Sequence, residues 1–282
     1  MVNNLGTLYV VATPIGNLGD ISERALEILK EVDMCASEDT RNTLKLFKNK
    51  GITTKLISYH DHSSENKISK IIKFLLDGKS IALVSDAGTP SISDPGFSLI
   101  RDSIRNDIKV VPIPGASAIT TILSVAGVAS ETFTFYGFPP RKGKKRNKLL
   151  MEIEFEEKAS IFFESGKRIK NLLGDIKNLN PKRHVVLGRE LTKLHEVIYR
   201  GDIEEVIKQL VKDSFGEKGE FVLLVEGMKT STRKDIQLSK QEIKTIDLLL
   251  SRLSKNEALS LASEILGLKK NDLYQLLLKR SN

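Results

Sequence analysis

Two regimes of hydrophobic patterning alternate along the chain. Apolar runs of strand length recur at Thr7–Ala12 (TLYVVA), Met34–Ala36, Leu56–Ser58, Ser80–Val84 (SIALV) and Lys109–Ile113 (KVVPI). Between them, apolar residues return at helical spacing. Ile21, Ala25, Ile28, Leu29 and Val32 predict one helix, and Thr40–Phe47, Ile68–Leu76 and Ala116–Ala126 predict others. Asp94-Pro95 predicts a helix start, because an N-cap residue is followed by proline at the first helical position. Strand and helix thus alternate up to residue 126, which predicts an α/β layer with a largely parallel sheet. A second set starts at Thr132–Tyr136 (TFTFY). It continues through Ala159–Phe163, Val185–Leu187 and Phe221–Val225, with helices over Ile169–Leu179 and Ile203–Val211. Gly127 breaks the helical pattern between the two sets.

Past Gly227 the pattern changes. Lys229–Asp235 (KTSTRKD) reads as a polar linker. Ile243, Ile246, Leu249, Leu250 and Leu253 then form an amphipathic stripe, and Ala258, Leu261, Ala262 and Ile265 another. Gly267 interrupts the period and Asp272–Leu278 resumes it, predicting a helix-turn-helix-like hairpin. The expected domains are 1–126, 127–228 and 229–282.

Composition narrows the class. The chain has 282 residues and a formal net charge of +8, is 40% hydrophobic, and contains no Trp. That excludes collagen-like, low-complexity and wholly disordered chains. The single Cys35 allows no internal disulfide and fits a reducing compartment. The N-terminus lacks the basic start and apolar core of a signal peptide, and no stretch is long and apolar enough for a membrane span. A cytoplasmic location is expected. The charge is uneven: residues 229–282 carry 11 Lys or Arg against 6 Asp or Glu, and Pro139–Lys148 (PPRKGKKRNK) carries six basic residues and no acid. A basic loop and a basic tail point to a polyanionic partner.

In open α/β sheets, ligands sit beyond the carboxyl ends of the strands. Three loops at such ends are rich in Gly, Pro and small polar residues: Thr13-Pro14-Ile15-Gly16, Ser85-Asp86-Ala87-Gly88-Thr89-Pro90, and Pro114-Gly115-Ala116-Ser117-Ala118. Such residues let backbone approach a ligand closely. None is a Gly-x-Gly-x-x-Gly or Walker A loop, which disfavours NAD and ATP. Asp86 is placed to accept hydrogen bonds from a ligand.

These loops lie within strings that resemble one superfamily. LYVVATPIGNLGDISERALEILKEVD, SEDTRNT at 37–43, LVSDAGTPSISDPG at 83–96 and VPIPGASA at 111–118 are similar to the tetrapyrrole methylase superfamily. Within it, the similarity is to enzymes that 2′-O-methylate a cytidine of small-subunit ribosomal RNA. FYGFPPRKGKKR at 135–146, FFESGKRI at 162–169, GRELTKLHE at 188–196 and GEFVLLVEG at 219–227 extend the resemblance over nearly all of 7–227. It implies two α/β domains with a cofactor cleft between them, followed by a small C-terminal helical domain. It implies S-adenosylmethionine as cofactor, the small ribosomal subunit or its RNA as partner, a homodimer and no membrane. The cofactor-binding residues expected are Thr13, Pro14, Ile15, Asp86, Ala87, Gly88, Thr89, Ser117, Ala118, Phe163 and Glu164.

Methyl transfer from a sulfonium to a hydroxyl needs alignment of two substrates, and a nearby group able to take a proton helps. No metal is required or expected. Polar groups just after strands are candidates for the cleft: Glu38, Asp39 and Arg41; His60, Asp61 and His62; Glu164 and Arg168; Arg189, Glu190 and Lys193. Asp39, Arg41, His60 and Glu190 are the catalytic candidates. The His60-Asp61-His62 triplet has metal-ligand residue types, but spacing specifies no further ligand. Arg141, Lys142, Lys144, Lys145 and Arg146 are expected to contact RNA phosphates, since no neighbouring acid in the sequence neutralises them. Two other functions stay open: a methyltransferase for a small tetrapyrrole-like substrate, and a non-catalytic RNA-binding assembly factor.

Overall fold

The computed structural model describes residues 5–60, 65–216, 218–228, 238–268 and 273. The first half forms a five-stranded parallel sheet from β1 (Thr7–Val11), β2 (Met34–Ser37), β3 (Lys55–Ser58), β4 (Ile81–Val84) and β5 (Lys109–Ile113), in the order β3-β2-β4-β1-β5. Helices α1 (Glu23–Glu31), α2 (Thr40–Lys50), α3 (Glu65–Leu76) and α4 (Phe97–Arg105) connect the strands. Both faces of the sheet are covered, and the inner strands β2 and β4 are buried along their whole length. In β4, Ile81 and Leu83 point into one core and Ala82 and Val84 into the other, and β1 divides Leu8 from Val11 in the same way.

Helix α5 (Ala118–Val125) follows β5 and packs on the second sheet: its Ile122 is buried among Ile161, Val186, Leu191 and Val222. That sheet is built from β6 (Phe133–Gly137), β7 (Ala159–Ser165), β8 (His184–Arg189), β9 (Val197–Asp202) and β10 (Glu220–Val225), in the order β6-β7-β10-β8-β9. Only β6 and β7 are parallel; the other neighbours are antiparallel. Its far face is covered by α6 (Lys144–Glu154), α7 (Gly166–Leu179) and α8 (Ile203–Lys212), which bury Leu149, Ile153, Leu173 and Val206 against Phe162 and Leu223.

Three local features differ from the sequence pattern. Helix α4 starts at Phe97, with Gly96 at its N-cap and no side-chain cap bond, rather than after Asp94. Strand β9 lies where no strand was expected, because its residues are only half buried and carry a weak apolar signal. The basic run is not all loop: α6 begins at Lys144, with no acid in its first turn. Two cations at a helix start oppose the macrodipole, which hides the helix from a reading based on end signals.

The C-terminal residues belong to a separate compact unit. Helices α9 (Lys240–Leu250) and α10 (Lys255–Leu266) each begin with a capping box, Ser239 with Glu242 and Ser254 with Glu257. Ile246, Leu259, Ala262 and Leu273 form its core, and Gly267 ends α10 at a φ of 63°. The expected linker Lys229–Asp235 and all but Leu273 of the expected helix Asp272–Leu278 lie outside the described residues. Among the described residues, no helix is long and apolar enough to cross a membrane.

Candidate active site

Strands β4, β1 and β5 are neighbours, so the three small-residue loops leave the sheet side by side. Thr13 and Gly88 tie the first two together through paired backbone hydrogen bonds of 2.9 and 3.0 Å. The Thr13 hydroxyl also donates to the Ser85 carbonyl. Against these loops stand the end of β7, the start of β10 and the turn after β8. Between them lies a cleft of about 420 Å³, within the range of small-molecule sites.

The apolar lining includes Ile15, Ala87, Ala118, Ile119, Leu191 and Phe163. The charged lining comes from Glu38, Asp86, Asp94, Glu164 and Glu220 against Lys193. Asp86 is held from the β2 side: its carboxylate accepts from the Asp39 amide and from the Asn42 side chain, both at 3.0 Å. Glu164 is buried and pairs with Arg168 at 2.7 Å. Lys193 Nζ lies 2.9 Å from both Glu190 and Glu220. A Cβ on Gly16 would stand 2.3 Å from Lys193 Cγ, so glycine there lets the lysine stem cross the loop after β1. Burial pushes the Lys193 pKa down, but hydrogen bonds to Glu190 and Glu220 outweigh it and hold the amine above its usual range. Burial likewise raises Glu190, and bonds from Lys193 and the Glu220 amide overcome it and leave the carboxyl below its usual range.

Nine of the expected cofactor residues line the cleft: Ile15, Asp86, Ala87, Gly88, Thr89, Ser117, Ala118, Phe163 and Glu164. Thr13 and Pro14 are buried outside the lining. The lining holds none of Asp39, Arg41, His60 and Glu190. Asp39 caps α2, accepting from the Arg41 amide at 2.8 Å, while Arg41 and His60 are exposed. Glu190 reaches the cleft only through Lys193. Asp61 and His62 lie outside the described residues. Arg189 does not face the cleft: it is buried, pairs with Asp213 at 3.1 Å and donates to the Phe215 carbonyl.

Arg146 departs from the expectation for the basic run. It is buried, pairs with Asp175 of α7 at 2.6 Å and donates to the Pro140 carbonyl at 2.8 Å. The neutralising acid lies 29 residues downstream and meets it through the fold. Arg141, Lys142, Lys144 and Lys145 remain exposed.

Sequence reasoning did not single out Ile92, Phe138, Leu191, Phe221 or Val222 for the cleft. Most of these apolar residues read as core. The one signal available was FYGFPPRKGKKR, where a phenylalanine directly precedes the prolines and the basic run.

A parallel sheet with small-residue loops at its strand ends, facing a mixed sheet across a cleft, defines a class. The profile of tetrapyrrole (corrin/porphyrin) methylases matches residues 7–207, and the chain belongs to that family. Solved structures agree in fold. Cobalt precorrin-4 methyltransferase CbiF matches with a TM-score of 0.60 at 15% identity over 78% of this chain and 94% of that one. Diphthine synthase matches with a TM-score of 0.62 at 17% identity over 78% and 90%.

Within the family, near-full-length relatives are named ribosomal RNA small subunit methyltransferase I. The chain is 44% identical to that of Escherichia coli O157:H7 over 99% of this chain and 96% of the relative. It is 45% identical to that of Pasteurella multocida over the whole of both. Residues 238–281 match the profile described as RsmI C-terminal HTH domain.

Proposed function

We infer that the protein transfers a methyl group from S-adenosylmethionine to small-subunit ribosomal RNA, on the 2′ oxygen of a cytidine. What carries this reading is the match, over almost the whole chain, to relatives named for that RNA. A uroporphyrin-III C-methyltransferase from Thermus thermophilus that shares the fold at a TM-score of 0.53 and 15% identity, over 78% of this chain and 97% of that one, was solved with S-adenosyl homocysteine. The cleft's donor set suits such a molecule. Ile15, Ala118 and Leu191 offer an apolar wall for a heteroaromatic ring, and Asp86 and Glu38 offer carboxylates for hydroxyl groups and a cationic centre.

When bound, S-adenosylmethionine supplies an electrophilic methyl on a sulfonium, and so brings its own leaving group. The chain contributes position. The loops after β1, β4 and β5 hold one side of the cleft, Phe163 and Glu164 hold the other, and Phe163 with Leu191 excludes water. Asp39 acts as a positioning residue by holding Asp86, and Glu190 does so by holding Lys193. Arg141, Lys142, Lys144 and Lys145 are assigned to RNA phosphates. Alignment of this kind supplies much of the rate in a bimolecular transfer.

The domains proposed are 1–126, 127–228 and 229–282, and the protein is assigned to the cytoplasm, where ribosomal subunits are modified. It is further assigned as a homodimer. Phe97 and Ile104 are 67% and 60% exposed and lie on one face of α4, an apolar strip suited to a second copy.

The test uses the full chain with radiolabelled cofactor and small subunits lacking the modification. Label is expected in RNA, in a cytidine whose 3′ phosphodiester resists alkaline cleavage. Label on corrinoid precursors alone would favour the small-molecule reading, and no transfer to either would favour the assembly factor.

A further inference from the structure

Phe138 is 55% exposed, although a phenylalanine side chain loses considerable favourable burial when left in water. Its position is set by a backbone device. Along β6, Phe135 packs on the cleft side against Phe163 at 4.9 Å between ring centroids. Tyr136 stacks on Phe162 at 5.1 Å, on the far side. Strict alternation would send residue 138 to the far side with Tyr136. The register instead shifts between Phe135 and Gly137, with Gly137 at a φ of 65°. One extra residue reverses the face of everything that follows. Phe138 therefore turns toward the cleft, edge-on to Phe163 at 5.8 Å, and joins the lining.

The same segment leads into the cations. Pro139 and Pro140 follow, and the Pro140 carbonyl is fixed by buried Arg146. Arg141 is three residues from Phe138, a chain reach of roughly 11 Å at most. An exposed aromatic face thus sits between the cofactor cleft and four exposed cations.

We propose that Phe138 is the stacking platform for the nucleobase whose ribose is methylated, holding it out of the RNA stack beside the cleft while Arg141 and its neighbours hold the adjoining phosphates. This rests on the RNA methyltransferase reading above. A cleft lined on both sides leaves little room for a stacked helix, and a nucleotide that leaves the stack presents its ribose more freely. An aromatic ring replaces the stacking it loses, whatever the base. The neighbouring cations favour a base of a polyanion over a neutral small molecule.

The experiment uses Phe138→Ala, Phe138→Leu and Phe138→Trp in the full chain, with unmodified small subunits. Because the chain has no Trp, Phe138→Trp introduces a single tryptophan, excited apart from the five tyrosines at the red edge of their absorption. Stacking of about 1–3 kcal/mol predicts a fall of roughly 5- to 150-fold in kcat/KM for subunits in both Ala and Leu variants. Calorimetric affinity for S-adenosylmethionine is expected to fall by less than kcat/KM for subunits, although Phe138 shares the cleft lining. Phe138→Trp should keep activity, and RNA should quench its emission beyond any change that S-adenosylmethionine alone produces. A Leu variant with parental kcat/KM, or RNA quenching no greater than that by the cofactor alone, overturns the proposal. If the parent methylates no ribosomal RNA, the functional reading fails, and RNA quenching of the Trp variant still decides the role of residue 138.

Discussion

Asp86 is tied into the fold and still lines the cleft. One carboxylate oxygen accepts from the Asp39 amide and the other from Asn42, yet the residue is exposed and lines the cleft. A hydrogen bond to a charged group contributes about 1.5–3 kcal/mol. Asp86→Ala should therefore weaken S-adenosylmethionine binding by roughly 10- to 100-fold in calorimetric titration. Ser117→Trp acts differently. Ser117 is the N-cap of α5 but makes no side-chain cap bond, so its replacement removes no cap and fills the cleft with an indole. Binding should be lost with little change in melting temperature, and parental binding by both variants would mean the cofactor sits elsewhere. These loop residues were legible because a tight turn of Gly, Pro and Ser at a strand end leaves its signature in a few consecutive positions. The opposite wall was legible at Phe163 and Glu164 but not beyond them. Phe221 and Val222 are adjacent on β10, and in the sequence they are two more apolar residues of a buried strand. Glu190 and Lys193 were legible as a charged group near the site, but only the passage of Lys193 over Gly16 shows which of them reaches the cleft.

At the scale of elements, α6 joins a helix to the basic run. Lys144 and Lys145 in its first turn oppose the macrodipole, each at a cost of about 0.3–1 kcal/mol, which a bound phosphate would offset. Replacing Arg141, Lys142, Lys144 and Lys145 by Ser should reduce the slope of log affinity for RNA against log salt. The expected reduction is about 0.7–0.9 for each phosphate no longer neutralised, with cofactor binding unchanged. Arg146→Ser should separate from this set. Removing a buried guanidinium from its pair with Asp175 is expected to destabilise the protein by on the order of 3 kcal/mol in denaturant melts and to leave the salt slope near parental. If the fourfold variant keeps the parental slope, the run is only a solvated surface. The alternation of strands and helices in the first half was legible because a parallel sheet covered on both faces writes its inner strands as short apolar runs. The second sheet was less so, since β9 is half buried and α6 has no acid in its first turn.

For the whole molecule, the distribution of cores and charge makes the C-terminal unit separable in function. Its helices α9 and α10 share a core of their own, Ile246, Leu259, Ala262 and Leu273, while the two sheets are packed by other residues. Residues 229–282 carry 11 basic against 6 acidic residues, and residues 1–228 carry 33 against 30, so most of the net charge of +8 is C-terminal. A body with complete cores should fold without the tail, and loss of a basic unit should weaken attraction to RNA without altering chemistry at the cleft. A chain ending at Met228 is therefore expected to melt cooperatively close to the parental temperature and to bind S-adenosylmethionine with parental affinity. Its KM for small subunits should rise and the salt dependence of that KM should flatten, while kcat at saturating subunit concentration stays parental. Thermal melting and methylation kinetics on the two chains read these effects independently. A large drop in melting temperature would make the tail part of the folded body, and an unchanged KM would remove it from RNA binding. A fall in kcat at saturation would instead give the tail a part in placing the nucleotide, because weaker capture alone is overcome by more substrate.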